Sequence, residues 1–151
     1  MYIKNNCEKA IQLADFKVFD EAGKSYEFRL TTLLPNQEMI ILEKNREKYD
    51  GEVKVVSAEI INLAVFTEYP SLQEDIFEIS GKQNLITVTN ISEEEILTAR
   101  VCYKNISDDI YIGGITYTVS VPELSPGQSV ELPTKHYMED GSQVVFVTYA
   151  K

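Results

Sequence analysis

The sequence predicts an all-β fold made of two antiparallel β-sandwich units. Most segments alternate apolar and polar residues with period two and are rich in Val, Ile, Thr, Tyr and Phe, which is typical of half-buried strands. Turn signals recur about every 8 to 12 residues, a spacing that favours a sandwich or barrel over βαβ units. In addition, the second half of the chain repeats features of the first half.

The alternating segments are predicted as strands. In chain order they include 14–18, 53–56, 85–89, 97–103, 115–121 and 144–149. Turn signals punctuate them at Ala22-Gly23, Pro35-Asn36, Asp50-Gly51, Ser80-Gly81, Gly113-Gly114, Pro126-Gly127 and Asp140-Gly141. The segment 57–66 is compatible with a short helix, but its Ile and Val content and its neighbours predict a strand.

The internal repeat appears when the chain is laid over itself with an offset of 85 positions. Asn5, Ile11 and Ala14 then fall on identical residues at Asn90, Ile96 and Ala99. After six extra residues in the second copy the offset becomes 91, and the matched pairs are Gly23/Gly114, Tyr26/Tyr117, Leu33/Leu124, Pro35/Pro126, Gln37/Gln128 and Lys44/Lys135. A chance likeness between two generic β stretches is the alternative, because period-two patterns resemble one another readily.

The two proline turns give the repeat a physical basis. Pro35-Asn36 and Pro126-Gly127 each place proline at the second turn position and Asn or Gly at the third. Type II geometry needs a positive φ at that third position, which Asn and Gly tolerate. We therefore predict two type II turns, each followed by a strand of the same phase.

The repeat divides the chain into a first unit, residues 1–70, and a second unit, residues 71–151. The second has strand-like segments at 75–80 and 85–89 before Asn90, whereas only Met1 to Lys4 precede Asn5. The first unit is thus expected to be shortened by one strand and to expose a sheet edge. Residues 57–70 or a second chain would cover this edge. We accordingly expect either a gene product that extends upstream or a homodimer through the free strand edge.

Composition excludes several classes of partner. The chain of 151 residues has 24 acidic and 14 basic side chains and a formal charge of -10. Nucleic acids and anionic membrane surfaces are bound through clustered Lys and Arg, so neither is an expected partner. No apolar run approaches the roughly 18 to 20 residues that span a bilayer, and the first residues do not form a signal peptide. These observations predict either a cytoplasmic protein or an ectodomain whose export or anchoring segment has been left out.

One family resemblance rests on turn and core residues. The run 16–24, preceded by Asn5 and Ile11 and followed by 34–37, resembles the FxLYD-type immunoglobulin-like domain of bacterial envelope proteins. The second copy is similar through 88–90, Ile96, 101–103 and 124–128. It departs at 105–113, where a longer loop is expected in place of a tight turn. The resemblance implies immunoglobulin-like β-sandwiches with an extracellular or cell-envelope location, and it brings no catalytic residues to transfer.

Few side chains suggest chemistry. His136 is the only histidine and has no nucleophile motif beside it, so it is predicted to be a solvated loop residue. Cys7 and Cys102 belong to no Cys/His ligand cluster, which argues against a zinc site. A disulfide between them stays open on arithmetic alone. Cys102 is expected on a second packed face, opposite that of Val101.

Two further groups of residues have a functional and a structural interpretation. The acidic clusters 105–109 and 139–140 offer oxygen ligands of the kind that calcium uses, yet neither has the spacing of a known calcium loop, and the metal content is left unassigned. Five tyrosines are candidates for a sugar- or peptide-binding face: Tyr103, Tyr111, Tyr117, Tyr137 and Tyr149. We predict instead that they fill a sandwich core and its rims.

Together these features predict a noncatalytic, envelope-associated module that acts as a spacer or as an interaction domain. We expect no cofactor, and we expect a protein or glycan partner at the cell surface. One alternative is a hydrolase that cleaves wall polysaccharide or peptide with a carboxylate pair. The other is a cytoplasmic assembly protein.

Overall fold

The computed structural model describes residues 1–46 and 54–151, and within them the chain is all-β. The turn predicted at Asp50-Gly51 and the first residue of the strand predicted at 53–56 lie outside this part of the chain. Eleven strands are described: β1 Tyr2–Lys4, β2 Ile11–Asp20, β3 Ser25–Leu33, β4 Glu38–Ile40, β5 Val55–Val65, β6 Phe77–Lys82, β7 Leu85–Asn90, β8 Thr98–Ser107, β9 Ile110–Val121, β10 Ser129–Pro133 and β11 Ser142–Ala150. Within the described ranges no helix is long and apolar enough to cross a membrane.

The chain forms two compact units. The first comprises residues 1–68 together with 108–115, and the second comprises 69–107 together with 116–151. Residues 108–115 therefore pack with the first unit, although the predicted repeat assigns them to the second. The chain passes between the units within β9, because its first half pairs with β4 and its second half belongs to the second unit.

In the first unit, β2 lies between β3 and β5 and pairs antiparallel with both. A second group of strands has β1 antiparallel to β4, and β4 parallel to the start of β9. The buried apolar side chains alternate along the strands and include Ala14, Val18, Tyr26, Phe28, Leu30, Met39 and Tyr111. The opposite face of β2 and β3 is polar, since Arg29 Nε donates to Asp15 Oδ1 at 2.6 Å and lowers the pKa of that carboxyl.

The second unit has the sheet β10-β7-β6 and the strands β9-β8-β11. Its core is larger and includes Phe77, Ile86, Val88, Ile96, Ala99, Val101, Tyr103, Val121, Leu124 and Val147. Gly81 in β6 lies against Tyr137, and a Cβ atom at this position would overlap the tyrosine ring. The predicted turn at Ser80-Gly81 is wrong, because both residues lie in β6 and this close approach is what requires the glycine.

A buried asparagine joins three chain segments of the first unit. The Nδ2 of Asn5 donates to the carbonyl oxygens of Lys9 and Leu33, both at 3.0 Å, and its Oδ1 accepts from the backbone N–H of Cys7 at 3.0 Å. Its backbone N–H donates to Gln37 O, and its carbonyl accepts from Asn36 N–H at 2.8 Å. We call these five bonds the Asn5 clamp. They satisfy the polar groups of a residue that is only 2% exposed.

The same bonds recur around Asn90 in the second unit. Its Nδ2 donates to Glu94 O at 2.8 Å and to Leu124 O at 3.0 Å, and its Oδ1 accepts from Ser92 N–H at 3.0 Å. Its backbone N–H donates to Gln128 O at 2.9 Å, and its carbonyl accepts from Gly127 N–H at 2.8 Å. This Asn90 clamp matches the Asn5 clamp bond for bond at the offsets of 85 and 91.

The turns beside the clamps have the predicted backbone geometry. Asn36 has φ of 62° and Gly127 has φ of 76°. The N–H of Gln37 donates to Leu34 O, and the N–H of Gln128 donates to Ser125 O. The positive φ predicted at the third turn position is therefore confirmed in both units.

Two expectations about connections are wrong. The segment 105–113 is not a long loop, because β8 and β9 are joined by the two residues Asp108 and Asp109 with φ of 49° and 63°. Asp accepts positive φ in such short hairpin turns. Residues 57–65 do form a strand, as predicted, but it pairs with β2 and leaves the edge of β1 uncovered.

Candidate functional site

The strand β5 exposes a row of large apolar side chains. Its 11 residues pair on one side with β2, and in the described part of the chain the other side has no neighbouring strand. The exposed side chains are Val55, Val56, Ile60, Ile61, Leu63 and Val65. Edge strands are usually short or protected by charges or proline, whereas β5 carries a single charged residue, Glu59. Such a strand is a candidate surface for strand pairing with another chain.

In the second unit, apolar side chains of β11 that are placed like those of β5 are buried. Val147 lies opposite Val101, as Ile60 lies opposite Phe16, and the offset of 85 aligns Phe16 with Val101. Val147 is 1% exposed, whereas Ile60 is 66% exposed. Tyr69 Oη and Ser71 O bond the backbone of β11 at Val145 and Val147. A covering segment therefore distinguishes β11 from β5.

This difference predicts unequal effects of matched truncations. Val147→Ala is expected to lower the free energy of unfolding by about 2 kcal/mol, because it removes buried methyl groups from a packed core. Ile60→Ala is expected to cost less than about 1 kcal/mol, because the side chain is largely in solvent. Urea denaturation followed by far-UV circular dichroism measures both. Equal losses would show that Ile60 is packed in solution.

The strand β1 provides a second open edge in the first unit. It pairs with β4 through Tyr2–Ile40, Ile3–Met39 and Lys4–Glu38. It ends its sheet on the other side, as far as the described residues extend. The strand that the offset of 85 aligns with it, β7, lies between β10 and β6. The free N–H and C=O groups of β1 are thus available for a further strand.

Aromatic side chains cluster in the second unit. Tyr103 stacks on Tyr117 with ring centroids 5.3 Å apart, and it meets Tyr137 edge-on at 5.2 Å. Burial raises the pKa of Tyr103 and of Tyr137. The tyrosines are predicted to fill a core and its rims: Tyr103, Tyr111 and Tyr137 are buried, and Tyr117 and Tyr149 are half-buried against the core of the second unit. His136 is exposed and lies on the ring of Tyr117 at 4.9 Å, in agreement with its prediction as a loop residue.

A shallow cavity of about 490 Å³ lies on the second unit. Its lining is mostly apolar with two acidic residues, and comprises Leu72, Glu74, Phe77, Glu78, Ile79, Ile91 and Val144. Glu74 and Glu78 are the acids that the carboxylate-pair alternative would require. Glycoside cleavage needs two carboxyl groups that face each other across the scissile bond.

The cysteines and the acidic clusters are not grouped as a metal-binding centre. Both cysteines are free, with Cys7 exposed and Cys102 buried. Burial raises the pKa of the Cys102 thiol, and its Sγ lies 3.5 Å from Thr118 Oγ1. Cys102 thus occupies the packed face predicted for it. Across residues 1–46 and 54–151, no three His, Cys, Asp or Glu side chains are grouped to hold a metal ion.

Sequence patterns did not predict the burial of Lys104. This lysine of β8 is 1% exposed, and desolvation lowers its pKa from 10.5 to about 7. Alternation places Lys104 on the same face of β8 as Cys102, for which packing was expected. A lysine is almost never fully buried, so its residue type argued against burial at this position.

Comparison with known proteins gives no relative. No family model, curated protein or solved structure matches this chain.

Proposed function

We propose that the chain is a tandem pair of immunoglobulin-like β-sandwich units that arose as an internal repeat. The two clamps support this, since five bonds around Asn5 recur around Asn90 with the same donors and acceptors. The strand pairing of β1 with β4 also parallels that of β7 with β10. The first unit departs from this pattern where β5 and the free edge of β1 remain uncovered.

In function, the pair serves as a noncatalytic interaction module of the bacterial cell envelope. The single observation that carries the interaction role is the 11-residue apolar edge strand β5. A sandwich holds such an edge rigidly, so that a partner can pair with it through backbone hydrogen bonds. The envelope location rests on the resemblance to FxLYD-type domains, with an anchoring segment outside this chain.

Protease accessibility in intact cells tests the location. The natural gene product, detected with an antibody against the second unit, is expected to be degraded when protease is added outside the cells. A cytoplasmic protein of the same cells serves as the control and should survive. Degradation only after lysis would contradict the proposal and favour the cytoplasmic assembly protein.

The hydrolase is the second candidate, and the observation that favours it is the cavity whose lining includes Glu74 and Glu78. The purified chain would then cleave wall polysaccharide or peptide, and Glu78→Gln would abolish the cleavage. Our proposal expects no turnover above that of Glu78→Gln. Turnover by the wild type that Glu78→Gln abolishes would contradict our proposal and favour the hydrolase.

A further inference from the structure

In the second unit, the strand β6 occupies the edge that corresponds to the open edge of β1 in the first unit. In that unit β6 pairs antiparallel with β7, placing Phe77 opposite Asn90, Glu78 opposite Thr89 and Ile79 opposite Val88. The offset of 85 maps the β7 residues onto Asn5, Lys4 and Ile3 of the first unit. A strand that bound β1 as β6 binds β7 would therefore present apolar side chains opposite Asn5 and Ile3.

The same strand would also cover the exposed face of β5. Phe77 of β6 is 3% exposed and meets the ring of Tyr149 in β11 at 5.6 Å. Tyr149 lies opposite Ala99, as Leu63 of β5 lies opposite Ala14. Leu63 is 50% exposed. One added strand would thus pair with the backbone of β1 and place an apolar side chain against Leu63 of β5.

The charge of Lys4 indicates which residue type an added strand would carry between its two apolar positions. Lys4 lies on the outer side of β1, alternating with the half-buried Ile3 and the buried Asn5. Its side chain is 44% exposed, with Nζ 3.3 Å from Glu38. In the second unit the residue facing this position is Glu78. An acidic residue there would pair with Lys4 across the strands.

We propose that the first unit binds an extended segment of another polypeptide, antiparallel to β1, with the pattern apolar–acidic–apolar. This proposal rests on the correspondence of the two units proposed above. A second copy of this chain fits less well: if its β1 paired here with Ile3 opposite Ile3, Tyr2 would face Lys4 and no carboxylate would be supplied. Its β6 is already enclosed in its own second unit, where Phe77 is buried.

A peptide titration tests the proposal. The probe is a fluorescently labelled peptide with the sequence of residues 74–82, EDIFEISGK, added to the full chain and followed by anisotropy. The register control is EDIEFISGK, which has the same composition but breaks the alternation of apolar residues. We expect the control to bind at least about tenfold more weakly, because the interchange turns an apolar side chain to the solvent side.

Charge and location provide two further readouts. Lys4→Glu is expected to weaken binding of EDIFEISGK up to about fivefold, as for a partly exposed ion pair. The matched variant Lys24→Glu, at the β2–β3 turn, should leave binding unchanged. Hydrogen exchange should show new protection at Tyr2–Lys4 when the peptide is bound.

Several outcomes would overturn the proposal. These are absence of binding to the chain, equal affinity for the two peptides, and protection confined to Val55–Val65. A stable dimer in sedimentation, with β1 already protected, would make a second copy the occupant. The peptide titration uses the purified chain, so its result does not depend on whether the protein is located in the cell envelope. Failure of the repeat itself would appear separately, in the clamp variants described below.

Discussion

Replacing Asn90 with alanine is expected to destabilise the second unit by about 3 kcal/mol or more. The substitution leaves Glu94 O, Leu124 O and the N–H of Ser92 without their side-chain partner. Each buried polar group that loses its hydrogen bond costs about 1 to 3 kcal/mol. Urea denaturation followed by circular dichroism measures the loss, and hydrogen exchange locates it in residues 69–107 and 116–151.

Matched variants separate the clamp from general effects of substitution. Asn90→Asp keeps an oxygen for Ser92 but turns a carboxylate oxygen toward two carbonyl oxygens, so a loss of similar size is expected at pH 7. Gln83→Ala, at an exposed position, should change the free energy of unfolding by less than about 0.5 kcal/mol. Asn5→Ala should act on the first unit as Asn90→Ala acts on the second. If either alanine variant were as stable as Gln83→Ala, the clamp would not be a structural element of that unit.

Replacing Lys104 with methionine is expected to remove a pH dependence of stability between about pH 7 and 10. The pKa of Lys104 is about 7 in the folded chain, against 10.5 for the ordinary side chain. Between these values the unfolded chain binds one more proton, so the free energy of unfolding of the wild type rises with pH by up to about 1.4 kcal/mol per unit. Below pH 7 both states are protonated, and the wild type carries the full cost of burying the charge.

The comparison of wild type and Lys104→Met across pH isolates this effect. Other groups that titrate in the range and lie away from residue 104 contribute about equally to both proteins and cancel. We expect the methionine variant to gain stability over the wild type at pH 6 by a few kcal/mol, and the difference to shrink toward pH 10. Lys135→Met, at an exposed loop position, should show no such trend. Parallel pH profiles for wild type and Lys104→Met would contradict the assignment.

Sequence patterns predicted the local geometry well where a residue type dictates it. Proline followed by Asn or Gly specified the turns at Pro35 and Pro126, and alternation identified the inward faces of β2 and β8. The offset also aligned Asn5 with Asn90. The bonding of those asparagines could not be predicted, because their partners at Leu33 and Leu124 are distant in sequence and are backbone atoms without a compositional signal.

The errors have a common physical origin. Gly113-Gly114 resembles a turn, and both residues do have positive φ, yet β9 continues through them and its first half pairs with β4. Period-two alternation also gave no indication that β5 is exposed, since exposure depends on a covering segment elsewhere. Pairing partners of edge strands are tertiary properties, and local sequence does not determine them.

The clamps also explain how the two units can share bonds while sharing few residues. In the bonds that the two clamps share, every partner of the asparagine side chain is a backbone atom, and a backbone atom is the same whatever residue carries it. Asn90 Oδ1 has one additional partner, the hydroxyl of Ser92, which donates to it at 2.7 Å. Lys9 and Glu94 occupy the same place with opposite charges, and Cys7 and Ser92 differ in chemistry. One asparagine side chain thus holds three segments together in each unit, although the residues around it differ between the units. Searches that score residue identity would pass over such a motif, whereas a search for its hydrogen bonds would find it.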